Sequence, residues 1–166
     1  TTISRAMAET LPRPDWRNPV HVLAFGFGAG AVPGAPGTAG TLVGVPIYAA
    51  VAGLPALAYL GVLAVVLLAG IVICGRTAAD LRVHDHPGIV WDEIAGLLVA
   101  LCGAPVGWEW AVGGFMLFRA FDIFKPWPIH WVDERVGGGL GIMADDVLAG
   151  LYAAALLGAA AWWLGA

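Results

Sequence analysis

The sequence contains few charged residues. Asp, Glu, Lys and Arg make up 12% of its 166 residues, about half of the share that is usual in a soluble domain. The formal net charge is −4 and no stretch is basic, which excludes nucleic acid as a partner. The two cysteines, Cys74 and Cys102, each lie within an apolar run. Their number and spacing exclude a disulfide framework and a zinc site.

Apolar residues are abundant instead, at 60% of the chain with a mean hydropathy of +0.82. Gly and Pro interrupt the apolar runs, which predicts helices over residues 38–52, 56–75, 88–103 and 108–124, and a last helix over 147–166. A spanning helix needs about 20 residues, so the shorter helices are expected to be re-entrant or partly buried. The predicted fold class is all-α: a polytopic membrane helical bundle with about four to five membrane helices.

The positions of the charges predict how this bundle is oriented. Every Lys and Arg falls in the N-terminal arm, in residues 76–82 or in residues 119–135, and the histidines accompany them. Helices that alternate up and down would place these segments on one membrane face, which the positive-inside rule assigns to the cytoplasm. We therefore expect a multi-pass protein of the inner (cytoplasmic) membrane with its active site facing the cytoplasm. Residues 1–20 are expected to form an interfacial arm and residues 21–166 the membrane domain, and a homo-oligomer is left open.

Six carboxylates stand out because apolar sequence surrounds them. Acids near hydrocarbon are costly and mark functional sites. The adjacent pairs Asp92–Glu93 and Asp145–Asp146 repel each other unless a cation or a proton neutralises them. Helix capping accounts for one acid of a pair, whereas a hard divalent cation with oxygen ligands accounts for both. The catalytic candidates are Asp92, Glu93, Asp122, Asp145 and Asp146, and the candidate metal ligands are these five together with Asp85.

A stretch rich in Gly and Pro, residues 26–41, precedes the first predicted helix. Backbone N–H groups in such a loop can cradle a phosphate, helped by the helix N-terminus. We therefore predict that Gly37 and Thr38 bind the phosphate of a substrate, with Thr38 also the expected N-cap of the helix. A flexible turn that enters a membrane helix is the alternative interpretation.

Two cations accompany the acid at residue 122. Arg119 and Asp122 are three residues apart and share a helix face, and Lys125 follows just before Pro126 ends the helix. A structural Arg–Asp pair with a snorkelling Lys would explain this pattern. Because Arg can also clasp a phosphate with two hydrogen bonds, Arg119 and Lys125 are the predicted phosphate-binding side chains.

Four stretches together resemble the phosphatidylglycerophosphatase A family. They read GFGAGAVPGAPGTAGT, VHDHPGIVWDEIAG, FRAFDIFKPWPI and GGLGIMADDVLAG, in the order in which the family has them. The resemblance implies a bacterial membrane enzyme that depends on Mg²⁺. It also implies the substrate, a membrane phospholipid: phosphatidylglycerophosphate would lose its terminal phosphate to leave phosphatidylglycerol.

The expected reaction is metal-assisted hydrolysis of a phosphomonoester. The acids would hold one or two Mg²⁺, and Arg119 and Lys125 would stabilise charge on the transferring phosphoryl group. The nucleophile is either water or one Asp, through an aspartyl-phosphate. The rival interpretation is a small membrane transporter or proton-relay protein that uses the same carboxylates. The clustering of the acids on one face and the lack of an inverted repeat argue against it.

Overall fold

The computed structural model describes residues 11–166, and this part of the chain is helical and contains no strand. The all-α prediction is therefore confirmed, while residues 1–10 of the predicted arm lie outside the described residues. A short 3-10 segment, Gly26–Ala31, follows the first helix. The α-helices are α1 (Pro19–Ala24), α2 (Pro36–Val51), α3 (Ala56–Asp80), α4 (Trp91–Ala100), α5 (Trp108–Phe124), α6 (Ile129–Arg135) and α7 (Gly138–Leu164).

Helices α3 and α7, with 25 and 27 residues, are long and apolar enough to cross a membrane. Much of their apolar surface does not face the protein: the side chains of Leu57, Val65 and Leu68 on α3 are 84%, 67% and 67% exposed. Helix α2 is also apolar but has only 16 residues. The predicted total of four to five membrane helices stays a prediction.

Helix α4 lies at the centre of the bundle. It packs against α2, α3, α5 and α7, and every residue from Ile94 to Ala100 is buried. Its ten residues reach about 15 Å, half of a bilayer core. Glycines allow the close packing, because a Cβ on Gly150 of α7 would meet the carbonyl oxygen of Gly96 on α4.

The charged ends of the helices meet at one end of the bundle. A Cβ on Gly75, near the end of α3, would lie 3.0 Å from the backbone nitrogen of Gly139 at the start of α7. At the opposite end, the Tyr59 hydroxyl of α3 donates a hydrogen bond to the carbonyl oxygen of Leu98 on α4, with an O–O distance of 2.7 Å. The alternation of helices predicted from the sequence thus gathers the charged segments. Which side of a membrane they face stays a prediction.

Two helix starts differ from the prediction. Helix α2 begins at Pro36, after Ala35 as N-cap without a side-chain hydrogen bond, so the expectation that Thr38 caps it is wrong. Proline suits the first helical position because its φ is already helical and its missing N–H would have no partner there. Helix α7 begins at Gly138 and not near 147. The helix therefore includes the Gly-rich residues 138–141, and it packs closely on α3, since a Cβ on Gly139 would collide with the carbonyl of Ile71.

Candidate active site

Five of the six predicted acids come together at the charged end, and we call them the acidic centre. They form two overlapping groups, within each of which one oxygen of every residue lies within 4.8 Å of the others. Asp146 belongs to both groups, so it is the point at which they join. The α4 group consists of Asp92, Glu93 and Asp146, and the α5 group consists of Asp122, Asp145 and Asp146.

The crossing of α4 and α7 directs two of these acids towards each other. Asp92 and Glu93 lie in the first turn of α4, and Asp146 lies on α7. Gly96 follows Asp92 by four residues, and Gly150 follows Asp146 by four. Residues four apart share a helix face, so each acid lies on the face that makes the Gly96–Gly150 contact. The sequence shows this pattern in both helices, each of which has an Asp four residues before a Gly.

The α4 group has buried oxygens that lack partners. Among residues 11–166, no group forms a hydrogen bond with Asp92 Oδ1, Glu93 Oε2 or Asp146 Oδ1. The exposed fractions of Asp92 and Asp146 are 8% and 3%. Buried charge without a partner is costly, and the three acids also repel one another. A hard divalent cation would bind these oxygens and remove the repulsion, so the residues present fit Mg²⁺.

The α5 group is neutralised by cations of the chain itself. Arg119 Nη1 donates a hydrogen bond to Asp122 Oδ2. Lys125 Nζ lies 2.6 Å from Asp145 Oδ2 and 2.9 Å from Asp133 Oδ1. Burial opposes the charged form of the Lys125 amine, but the hydrogen bonds with these two acids outweigh it and raise its pKa. The amine therefore stays charged at neutral pH.

Arg119 retains donors for a further ligand. Its Nε is buried and has no hydrogen-bond partner in the described part of the chain. Gly37 adjoins the guanidinium, since a Cβ on this glycine would lie 3.1 and 3.2 Å from the Arg119 Nη1 and Nη2 atoms and would also collide with Glu93 Oε1. Thr38 follows with a half-buried side chain. The first turn of α2 thus lies beside both Arg119 and the α4 group, where backbone donors can approach an anion.

Comparison with known proteins places this arrangement in a family. The sequence profile of phosphatidylglycerophosphatase A matches residues 22–161, which include the whole acidic centre. The chain belongs to the phosphatidylglycerophosphatase A family. The resemblance carried by the four motifs is confirmed, and membership makes the protein a phosphatase.

Relatives of this phosphatidylglycerophosphatase A family member cover most of its length. It is 45% identical over 141 residues to phosphatidylglycerophosphatase A of Escherichia coli, and the matched region covers 84% of this chain and 82% of that protein. The Haemophilus influenzae protein of the same name is 44% identical over 154 residues, covering 89% and 91%. A Bacteroides thetaiotaomicron protein with the provisional name phosphatidylinositol-3-phosphatase is 38% identical over 152 residues, covering 87% and 94%. No solved structure matches the chain.

Two acids near the centre of this family member differ from the sequence-based expectation. Within the described residues, Asp85 joins neither acid group; its side chain is exposed in the loop before α4. Asp133 contacts Lys125 but was not among the predicted site residues. It lies on α6, a helix that the sequence does not predict. The sequence carries a signal for it, because the apolar Ile129 and Asp133 are four residues apart and would share one face of a helix.

Proposed function

We propose that this protein hydrolyses the terminal phosphomonoester of phosphatidylglycerophosphate in a Mg²⁺-dependent reaction, which yields phosphatidylglycerol and inorganic phosphate for glycerophospholipid synthesis. The observation that carries the proposal is the α4 group, in which three carboxylate oxygens have no partner within the described chain. Arg119 and Lys125 contact the same acidic centre through Asp122 and Asp145. Two relatives that carry the name of this activity support the choice of substrate.

The α4 group would hold the cation through Asp92, Glu93 and Asp146. When bound, Mg²⁺ supplies charge neutralisation at the phosphate oxygens and a lowered pKa for water. The chain supplies the rest of the phosphate site. Arg119 presents a fork geometry that suits phosphate and an Nε–H without a partner among residues 11–166, and Gly37 brings backbone beside it.

Hydrolysis forms one P–O bond and breaks another, and the departing glycerol oxygen must take up a proton. The charged Lys125 amine lies at the edge of the centre, where it offsets charge on the phosphoryl group. The attacking oxygen belongs either to water or to an Asp of the centre. Trapping the protein with labelled substrate separates the two routes, because only the second leaves label on an Asp.

The membrane setting agrees with a lipid substrate. The acidic centre lies at the charged end of the apolar helices α3 and α7. A lipid phosphate at the membrane surface would reach the centre while its acyl chains stay in the bilayer. Trp127 and Trp131, with exposed fractions of 79% and 46%, lie near this end and suit an interfacial belt. We assign this end to the cytoplasmic side of the inner membrane, with α2 and α5 as further membrane helices.

Phosphate release from mixed micelles that contain phosphatidylglycerophosphate tests the proposal. Removal of Mg²⁺ with EDTA should abolish release, and Mg²⁺ should restore it. D146N removes the charge shared by both acid groups and should lower kcat/KM at least about 1,000-fold. The matched control is E109Q, because Glu109 is an exposed acid at the opposite end of α5, and its activity should be unchanged.

Activity that survives EDTA would defeat the metal-dependent mechanism. Faster hydrolysis of phosphatidylinositol 3-phosphate than of phosphatidylglycerophosphate would defeat the choice of substrate. A transporter or proton relay would carry ions across vesicles and release no phosphate. The gathering of Asp92, Asp122 and Asp146 at one end of the bundle, and not along its depth, disfavours such a relay.

A further inference from the structure

Lys125 lies between two carboxylates that have different surroundings. Asp145 belongs to the acidic centre, and its side chain is 11% exposed; Asp133 lies outside the centre, and its side chain is 39% exposed. The Lys125 amine contacts both, at 2.6 and 2.9 Å. A single ammonium group thus connects the centre to α6.

The contact with Lys125 conflicts with the use of Asp145 as a ligand of a cation in the acidic centre. A divalent cation and an ammonium group repel each other and compete for the same carboxylate oxygens. If Asp145 turns towards the cation, Lys125 must give up one of its two hydrogen bonds. Asp133 still offers the other, so the amine need not leave the site.

We propose that Asp133 is a positioning residue that holds the Lys125 amine beside the acidic centre when a divalent cation binds at Asp145. The inference rests on the proposed function in that it takes the centre to bind Mg²⁺. With Asp133 in place, the amine that leaves Asp145 stays within reach of a substrate phosphate. Without Asp133, Asp145 is the one carboxylate of residues 11–166 that pairs with the amine, so the amine stays there and opposes the cation.

The neighbouring residue on α6 provides a matched control. Asp133 shares a helix face with the fully buried Ile129, so it faces the protein. Glu134 has an exposed side chain and lies 3.3 Å from His130, which is also exposed. Changing either acid to its amide removes one negative charge at almost the same place on the surface, but only D133N removes a hydrogen bond to Lys125.

The test is a calorimetric titration of the purified full chain in detergent with MgCl₂ alone. D133N should weaken Mg²⁺ binding about threefold to tenfold, and E134Q should leave it unchanged. K125M removes the competing amine and should strengthen binding. In the double variant D133N/K125M the affinity should equal that of K125M, because Asp133 acts through Lys125. D133E, which restores a carboxylate, should recover the original affinity.

Two results would overturn the inference while leaving the proposed function intact. One is a D133N effect of the same size with and without K125M, and the other is equal weakening by D133N and E134Q. No binding of Mg²⁺ to the unaltered protein would overturn both the metal site and this inference. In the micelle assay, D133N should raise the KM for phosphatidylglycerophosphate more than it lowers kcat, since the amine that meets the phosphate is displaced.

Discussion

The two acid groups share Asp146 but differ in what neutralises them. The α4 group has carboxylate oxygens without a partner in the described chain, whereas the α5 group is paired with Arg119 and Lys125. Mutual repulsion is therefore unrelieved in the first group and offset by cations of the chain in the second. On the proposed function, the α4 group would bind a cation directly, whereas a cation would reach Asp145 of the α5 group only by displacing Lys125. Carboxylates a few ångströms apart can thus have distinct roles.

Removing one acid from each group tests this difference most strongly. D92N takes a candidate ligand from the α4 group and should weaken Mg²⁺ binding at least about tenfold, with a larger loss of kcat/KM. D122N removes the partner of Arg119 and should leave Mg²⁺ affinity within about threefold while raising the KM for the lipid. Calorimetry with MgCl₂ and the micelle assay provide the two measurements. Equal losses of Mg²⁺ affinity in D92N and D122N would show that the two acid groups do not differ in cation binding.

Replacing Arg119 by Lys tests whether the cations beside the α5 group bind the substrate phosphate. R119K keeps the charge but loses the fork and the buried Nε donor, so kcat/KM should fall about 10- to 100-fold. The affinity for Mg²⁺ should not change, because the α4 group is intact. Arg76 is exposed on α3, so R76K makes the same exchange as a control and should have no effect. Loss of Mg²⁺ binding in R119K would show that Arg119 supports the cation site instead.

A methyl group at Gly37 should have the smallest effect. The added Cβ would press on Glu93, which belongs to the α4 group, and on the Arg119 guanidinium, which pairs with Asp122 of the α5 group. G37A should lower kcat/KM about tenfold, with the Arg119 side chain displaced. Gly61 on α3 has open space around it, so G61A is the matched control and should retain full activity. Unchanged kinetics in G37A would remove the start of α2 from the phosphate site.

The sequence predicts the acidic centre better than it predicts the segments that hold it. Adjacent acids at the ends of apolar helices lead directly to Asp92, Glu93, Asp145 and Asp146, because alternating helices bring every second end together. The start of α7 escapes prediction because glycine is a poor helix former, and only tertiary packing against α3 explains Gly139 within a helix.

The short helix α6 escapes prediction for a related reason. Its seven residues, Ile129–Arg135, are too few to form a helix in isolation, and its stability comes from packing against α7. Asp133 was missed with it. Asp85 lies in the loop before α4, where His86 accepts a hydrogen bond from the N–H of Gly88 at 3.0 Å, and its role as a metal ligand stays a prediction.

The Gly96–Gly150 contact joins two helices that are synthesised at different times. Helix α4 emerges from the ribosome before α7, yet its acids reach their partner Asp146 only once α7 is in place. A nascent chain that stops before residue 145 lacks Asp146, so only Asp92 and Glu93 of the α4 group are present. If the proposed function is right, the metal site is complete only after α7 has been made, and a chain truncated before residue 145 should release no phosphate.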